Sequence, residues 1–369
     1  MGNGQSLARV DHEALRRNQE RIDRFKRFYR DESRGVMALV MAPAKQPSAP
    51  APFPLDQIDW ASAASRRAYA SACLDACRAA WAAAPRLDDD GIPGLQNLAG
   101  TGAIGAAFVK DAVVRSEATT NYLDPPIRDW SRDISRIGFD PDNPWYRGMA
   151  DMLRVYVEAW DGSFGLAPFT HFDPLDLCNQ WRGNDLFTDF HDNPEELRHL
   201  LGLAVDALLA LEKDLRANYM RGFGFEGCVV GGAWTPGDYL SCDAGDLCSP
   251  GALATWGLPY TQRIVEAWGG AFLHHHELGV HQIPTWAECR KLSLQFLNRD
   301  PNTAHLAQGL SEDVIRASWR VPVSFISTGA EFLASAEQWA RGRFYVIVNC
   351  DSLEQARAVA RRLPALRNF

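Results

Sequence analysis

The segment GGAFLHHHELGVHQI, residues 269–283, contains four of the nine histidines in a chain of 369 residues. Imidazoles bind transition metals and transfer protons near neutral pH. The apolar residues that begin the segment predict a β-strand ending in the histidines, and alternate residues of a strand point to the same face. His274 and His276 can therefore share one pocket. His275 lies on the other face or reaches the pocket from the following turn.

Carboxylates near these histidines supply a second kind of chemistry. Glu277 follows them directly, and Asp243 and Asp246 lie in SCDAGDLCSP, after an earlier predicted strand. A carboxylate at a strand end can act as acid, base or substrate clamp. We expect catalytic roles for Asp243, His275 and Glu277. Asp246 and His281 are expected to contact substrate, although the aspartates would also suit the N-terminus of a helix.

Three further side chains suit the polar groups of a substrate. His171 follows an Ala-Pro-Phe-Thr turn, Arg182 lies in WRG, and Arg299 lies in LNRDPN after another predicted strand. A guanidinium binds a carboxylate through paired hydrogen bonds. We expect all three residues to bind substrate, and ion pairs within the protein are the alternative for the two arginines.

From about residue 160 the chain alternates short apolar runs with helical stretches. The runs are GSFGLAP, GCVVGGAW, GDYLSCD, GAFLHHH, LSLQFLN, VPVSFIS and RFYVIVN. Repeated strand and helix predict a parallel sheet, and polar residues at the strand ends favour a TIM-type (β/α)8 barrel. A doubly wound sheet is the alternative. It requires a Gly-rich loop with an acidic residue about twenty positions later, which GTGAIGAAF at 100–108 lacks.

The N-terminal part has a different character. Residues 7–31 predict an amphipathic helix, and the proline-rich segment 41–57 predicts an exposed arm. We divide the chain into 1–58, comprising this helix, the arm and a first barrel strand near 36–42, and 59–369, the remainder of a single barrel domain.

The composition argues against several classes of protein. With 46 acidic and 38 basic residues the formal net charge is −8, which leaves no basic surplus for nucleic-acid phosphates. The eight cysteines form no regular framework, no secretory signal is evident, and the apolar runs fall short of the ~20 residues that cross a bilayer. We expect a soluble, cytoplasmic protein that acts on a small molecule, with neither nucleic acid nor membrane as partner. Whether it forms a homodimer stays open.

Three stretches, in this order, resemble the uroporphyrinogen decarboxylase superfamily, which includes zinc-dependent cobalamin and corrinoid methyltransferases. They are FGLAPFTHFDPLDLCNQWRG (164–183), DNPEELRHLLGLAVDAL (192–208) and CDAGDLCSPGALATWGLPYTQRIVEA (242–267). The resemblance covers roughly residues 90–365. It implies a TIM-type barrel with a deep polar pocket, the N-terminal helix being an extension of it.

The resemblance also implies a set of zinc ligands. The methyltransferases hold zinc with His-x-Cys at one strand end and a cysteine from a later strand. His274, His276 and Cys350 stand at the corresponding places, with His276 replacing a cysteine. Three protein ligands leave one coordination position open, which is the arrangement of a catalytic zinc.

We therefore expect a zinc-dependent methyltransferase that moves a methyl group between a corrinoid or a methylated small molecule and an acceptor. A corrinoid protein is then an expected partner. Histidine at 276 leaves lyase chemistry open, so a decarboxylase of an anionic substrate is the alternative enzyme. Uroporphyrinogen itself is disfavoured, because AKQPSAPAP lacks the arginines that follow the first strand in true uroporphyrinogen decarboxylases. A non-catalytic module that binds corrinoid or a small ligand is the remaining alternative.

Overall fold

The computed structural model describes residues 10–30, 32–42, 55–97, 99–224 and 226–369. Its largest element, within this part of the chain, is an eight-stranded sheet in which all neighbouring pairs but one are parallel. The strands, numbered in chain order and given as they lie side by side, are β14 (Arg367–Asn368), β1 (Arg34–Met41), β13 (Arg343–Asn349), β12 (Val323–Thr328), β11 (Leu294–Asn298), β10 (Ala271–His276), β9 (Asp238–Ser241) and β6 (Thr170–Phe172). The antiparallel pair is β14 with β1.

Smaller sheets accompany this one. They are the parallel pair β2 (Gly94–Gln96) and β5 (Gly165–Ala167), the hairpin of β3 (Val114–Ser116) and β4 (Asn121–Leu123), and the hairpin of β7 (Cys228–Val230) and β8 (Ala233–Thr235). Only two residues separate β5 from β6, the edge strand of the large sheet. Because β2 pairs with β5, β2 comes next after β6 at this edge.

Helices connect most of the strands. They are α1 (His12–Phe28), α2 (Ala63–Ala83), α3 (Thr101–Ala106), α4 (Trp130–Asp133), α5 (Pro144–Glu158), α6 (Pro174–Arg182), α7 (Leu186–Asp192), α8 (Pro194–Asn218), α9 (Asp243–Asp246), α10 (Pro250–Trp256), α11 (Leu258–Trp268), α12 (Ile283–Trp286), α13 (Glu312–Ser318), α14 (Gly329–Trp339) and α15 (Leu353–Leu366). Short 3₁₀ helices cover Leu55–Gln57, Ile134–Arg136, Gly183–Asp185, Glu277–Gln282 and Leu306–Gln308. Among the described residues, none of the helices is both long and apolar enough to cross a membrane.

The strands are apolar on both faces because both faces are covered. On β13, Val346 and Val348 pack into the core formed with α13, α14 and α15. Tyr345, on the opposite face, packs with Phe296 and with Phe25 of α1. A strand buried on both sides needs a continuous apolar run, which is why RFYVIVN is apolar at nearly every position.

Beyond its short contact with β14, the outer edge of β1 is satisfied by two aspartates. The N–H groups of Ala38 and Val40 donate to carboxylate oxygens of Asp90 and Asp89, at 3.1 and 3.0 Å. The N–H of Asp90 in turn donates to the carbonyl of Ala38 at 2.9 Å. Residues 89 and 90 precede β2, so side chains rather than a strand ladder link β1 to the segment that leads into β2.

The predicted α/β class with a mostly parallel sheet is confirmed. The amphipathic helix predicted over 7–31 is α1, and the first strand predicted near 36–42 is β1. Most of the proline-rich arm, residues 43–54, lies outside the described residues. The division of the chain at residue 58 stays a prediction.

The buried ion pairs of Asp90 are expected to stabilise the connection at β1. Its Oδ1 lies 2.9 Å from Arg24 Nε and 2.9 Å from Arg367 Nη2. Replacing Asp90 by asparagine should lower the free energy of unfolding by about 3 kcal/mol, because two cations lose their buried counter-charge.

The control is Glu20→Gln, which removes the exposed ion-pair partner of Arg16 on α1, the helix that also carries Arg24. It should change the free energy of unfolding by less than about 0.5 kcal/mol. Urea denaturation followed by circular dichroism measures both variants. Equal losses would contradict a special role for Asp90.

Candidate metal centre

The C-terminal end of β10 presents two imidazoles on one face of the sheet. The ring of His274 lies 6.1 Å from that of Tyr239 and 6.1 Å from that of Phe296. The ring of His276 lies 5.0 Å from that of His274. His275 lies on the other face and is fully buried. The structure thus brings two of the predicted metal ligands together.

Asp243 joins these two imidazoles. It is the first residue of α9, two positions after the end of β9, the strand beside β10. Its Oδ1 lies 3.5 Å from Nε2 of His274 and 3.8 Å from Nε2 of His276. Two ligands bound tetrahedrally to zinc at its usual bond lengths lie roughly 3.3 Å apart. The spacing therefore suits a shared metal ion after small side-chain adjustments.

The backbone around Asp243 is held by another carboxylate. Asp176 accepts hydrogen bonds from the N–H groups of Asp243 and Ala244, at 2.9 and 2.7 Å. The hydroxyl of Ser241 also donates to Oδ1 of Asp243 at 3.1 Å. Asp176 belongs to a second group that could hold a metal, with Asp173 and Cys242. Its two oxygens are already used by backbone donors, so we assign it the role of positioning Asp243.

Asp300 orients the second imidazole. Its Oδ1 lies 2.8 Å from Nδ1 of His276, and its Oδ2 accepts from the N–H of Leu278 at 2.9 Å. A carboxylate at Nδ1 selects the tautomer that carries its proton there, which leaves the lone pair of Nε2 free for a metal. Although partial burial opposes it, the N–H of Leu278 and the imidazole of His276 hold the pKa of Asp300 below its usual value.

Burial affects metal binding by His274 and by Asp243 in opposite directions. Burial, reinforced by the neighbouring His276, lowers the pKa of His274 to about 3, so this imidazole is neutral at ordinary pH. Burial raises the pKa of Asp243, while His276 and Ser241 act in the opposite direction. Neutral imidazole and ionised carboxylate are the forms that bind a metal, so burial favours His274 as a ligand and works against Asp243.

The group of His274, His276 and Asp243 could hold a metal ion and leave it accessible. About half of the Asp243 side chain is exposed, and about a third of the His276 side chain. Two nitrogens and one oxygen form the type of ligand set that catalytic zinc uses with an open position. Such an ion acts as a Lewis acid toward a group bound beside it.

Cys350 is not part of this group, which corrects the predicted third ligand. It follows β13, three strands away from β10 in the sheet. Its side chain packs in the apolar layer under the helices, and its thiol lies 3.8 Å from the carbonyl oxygen of Val348. Burial raises its pKa to about 11, so it is a neutral thiol.

Asp246 and His275 form a buried pair behind the site. Oδ1 of Asp246 lies 3.2 Å from Nδ1 of His275, and its Oδ2 accepts from the N–H of His276 at 2.8 Å. Both residues lie on the face of β10 away from the candidate ligands. The structure gives them the role of fixing the backbone at His276 and does not bring them to the predicted catalytic and substrate-binding positions.

Glu277 and His281 are likewise engaged within the protein. Glu277 accepts from the N–H of Leu306 at 3.0 Å and lies 2.9 Å from Nδ1 of His305. Nε2 of His281 lies 3.0 Å from the carbonyl oxygen of Cys248. These contacts hold the loops after β10 and β11 rather than a bound molecule.

Both predicted substrate arginines form ion pairs. Nε of Arg182 lies 2.7 Å from Oδ2 of Asp189, and Nη2 of Arg299 lies 3.1 Å from Oε2 of Glu331, which also caps α14. The structure therefore favours the alternative that the sequence left open for them.

His171 belongs to a separate buried group. Its Nε2 lies 3.5 Å from Oε2 of Glu212 and 3.7 Å from Oδ2 of Asp238. Burial lowers its pKa, but the two carboxylates outweigh burial and raise the pKa to about 9. These three residues could also hold a metal ion. The structure does not bring His171 to the histidines of β10.

Two cavities lie apart from the candidate ligands. One of about 530 Å³ lies between α1, β1 and the segment 84–94, and one of about 460 Å³ lies beside Glu277 and His305. His274, His276 and Asp243 line neither of them. The exposure of Asp243 and His276 therefore indicates a site open to solvent.

Sequence reasoning gave no role to Asp300 and Asp176. Asp300 has a usable signal, because it follows β11, whose Asn298 pairs in register with His276. Polar residues just beyond the ends of adjacent parallel strands meet at one edge of the sheet. Asp176 has no such signal, since it lies 67 positions from Asp243 and acts on its backbone.

No protein-family model matches this sequence, and no curated protein matches it either. Fold and site together describe an α/β protein with a mostly parallel sheet and a histidine-carboxylate group that could hold a metal ion.

The third ligand can be tested by a pair of substitutions. Asp243→Asn should lose one equivalent of tightly bound metal relative to the wild type, because it removes an anionic ligand that a neutral amide oxygen replaces poorly. Cys350→Ala should keep the full metal content, since that thiol is remote from the histidines. Elemental analysis after gel filtration measures both. If Cys350→Ala lost metal and Asp243→Asn did not, the ligand set predicted from sequence, His274, His276 and Cys350, would be supported instead.

Asp300→Asn tests the orientation of His276. The variant should bind zinc about 10–100-fold more weakly, because the amide no longer selects the tautomer that frees Nε2. Competition with a chromophoric chelator gives the dissociation constant. Glu288→Gln, at an exposed surface position, is the control and should leave the constant unchanged. Wild-type affinity in Asp300→Asn would argue against this role.

Proposed function

We propose that the protein is a metal-dependent enzyme built on a TIM-type (β/α)8 barrel. In this arrangement β1, β2, β5 with β6, and β9 to β13 occupy the eight strand positions. The pairing of β2 with β5 at one end of the sheet supports it, as does the contact of residue 90 with β1 at the other end. The link between β1 and β2 is then made mainly by the carboxylates of Asp89 and Asp90.

One observation carries the functional proposal: His274, His276 and Asp243 direct three ligand atoms to a common point at the C-terminal ends of adjacent strands. That end is where barrel enzymes place their chemistry. Asp300 at Nδ1 of His276 adds the hydrogen bond that commonly orients a metal-binding histidine.

We propose that the reaction is transfer of a methyl group between a corrinoid or a methylated small molecule and an acceptor. A zinc ion held here would lower the pKa of an acceptor thiol or hydroxyl, which makes the acceptor nucleophilic near neutral pH. His274 and His276 bind as neutral ligands, and Asp243 supplies the one negative charge. Asp176 and Asp300 keep Asp243 and His276 in place.

A decarboxylase or other lyase of an anionic substrate is the second candidate, and the carboxylate ligand favours it. A centre of two imidazoles and one carboxylate carries less negative charge than one with two thiolates. It therefore attracts the oxygens of an anionic substrate more strongly. Arg182 and Arg299 are engaged in ion pairs and are not available to neutralise an anionic substrate, so the metal ion would have to do so.

Activity assays on zinc-loaded protein distinguish the two candidates. If the protein transfers methyl groups, both the wild type and Cys350→Ala should catalyse demethylation of methylcobalamin by a thiol. The absorption spectrum of the cobalamin monitors the reaction. The rate should fall by at least about 100-fold in His276→Ala, because a catalytic ligand is lost. Release of CO₂ from carboxylic acids with the same dependence on His276 would favour the lyase. Cobalamin binding with no turnover would indicate a non-catalytic module. Turnover that is equal in wild type and His276→Ala contradicts the proposed centre.

A further inference from the structure

The ionisable group that contains His171 lies between the sheet and its helices. His171 comes from β6, Asp238 begins β9, and Glu212 lies on α8. All three are buried, and His171 and Asp238 are completely so. In register Asp238 lies beside Ala271, at the start of β10, whereas His274 and His276 lie at its end. The group is therefore separate from the candidate centre described above.

Each carboxylate of this group uses its two oxygens differently. Oε1 of Glu212 forms an ion pair with Arg216, one turn further along α8, while Oε2 faces His171. Oδ1 of Asp238 accepts from the N–H of Tyr239 at 2.8 Å, while Oδ2 faces His171. One oxygen of each carboxylate is thus held by the protein, and the other is directed to a common space.

The atoms that face this space do not hydrogen-bond to one another. The distances from Nε2 of His171, 3.5 Å to Glu212 and 3.7 Å to Asp238, exceed the 2.7–3.2 Å of an N–H···O bond. Nε2 of His171 and Oδ2 of Asp238 have no hydrogen-bond partner among the described residues. Leaving such buried atoms unsatisfied is costly. The distances are close to the roughly 3.3 Å between two ligands of a tetrahedral zinc ion.

The charges in this group favour a cation, which either a proton on His171 or a metal ion can supply. Two carboxylates and the guanidinium of Arg216 sum to one negative charge when His171 is neutral. Both carboxylates are buried, whereas the side chain of Arg216 is almost half exposed. A proton on His171 would balance the charge, but its single N–H at Nε2 is too far from either oxygen to form a good hydrogen bond. A metal ion contacts all three atoms at once.

We propose that His171, Glu212 and Asp238 form a second, structural site for a divalent first-row metal ion such as Zn²⁺ or Mn²⁺. One imidazole and two carboxylates suit such an ion. The ion would join β6, β9 and α8, and so tie the sheet to a helix that covers it.

The test removes the first centre and asks what metal remains. His274→Ala/His276→Ala protein, purified and gel-filtered, should retain about one equivalent of metal per chain, since only the second site is left. Stripping it with a chelator should lower Tm, and adding Zn²⁺ or Mn²⁺ at 100 times its dissociation constant should raise Tm by about 3 °C. Failure of the proposed function leaves this result unchanged, because the first centre is absent.

Two further substitutions in that background locate the ion. Asp238→Asn should abolish the retained equivalent and the response of Tm to metal. Asp206→Asn, which removes an exposed carboxylate of α8 that pairs with Arg263, should keep both.

A metal content near zero, with no response of Tm to Zn²⁺ or Mn²⁺, overturns the proposal. It would identify protonated His171 as the cation of this group. If the double variant does not fold, Asp243→Asn protein decides the matter: one remaining equivalent supports the second site, and none overturns it.

Discussion

Side chains on successive residues of a strand point to opposite faces, and at the end of β10 this places two polar environments back to back. His274 and His276 lie on the face where Asp243 meets them. His275 faces the helices and pairs with Asp246. Because Asp246 also accepts the N–H of His276, the buried pair holds the backbone from which a candidate ligand projects. The metal-binding geometry thus depends on a contact on the other side of the sheet.

Other carboxylates repeat this role around the site. Asp176 binds the N–H groups at the start of α9, Asp300 binds that of Leu278, and Glu277 binds that of Leu306. Loops after parallel strands contain N–H groups without ladder partners, and burying them unpaired is costly. Aspartate and glutamate satisfy them and at the same time set the loop conformation. The acidic residues near the histidines therefore mostly shape the candidate centre, and among the described residues Asp243 is the one whose carboxylate could act as a ligand beside His274 and His276.

Much of the fold and part of the site could be predicted from sequence, because both follow from local periodicity. Six of the seven apolar runs marked strands that pair in parallel, and alternation paired His274 with His276. The seventh run, GCVVGGAW, instead forms the antiparallel hairpin of β7 and β8. The same rule applied to RFYVIVNC would have separated Cys350 from the histidines, since Tyr345 and Ile347 lie on the face of the sheet that carries His274, and residue 350 has the opposite parity. Contacts such as Asp176 with Asp243 join distant segments through a backbone N–H, and no local pattern encodes them.

The candidate centre at His274, His276 and Asp243 and the proposed second site at His171 are connected through a single short strand. Asp238 begins β9, and Asp243 follows its end. A cation at the first residue of β9 would fix this strand against β6 and α8, and the strand in turn sets where Asp243 stands relative to β10. Zinc geometry tolerates errors of only a few tenths of an ångström at a ligand. Fixing the position of the first residue of β9 is therefore a physical means of positioning Asp243, whose side chain is itself half-exposed.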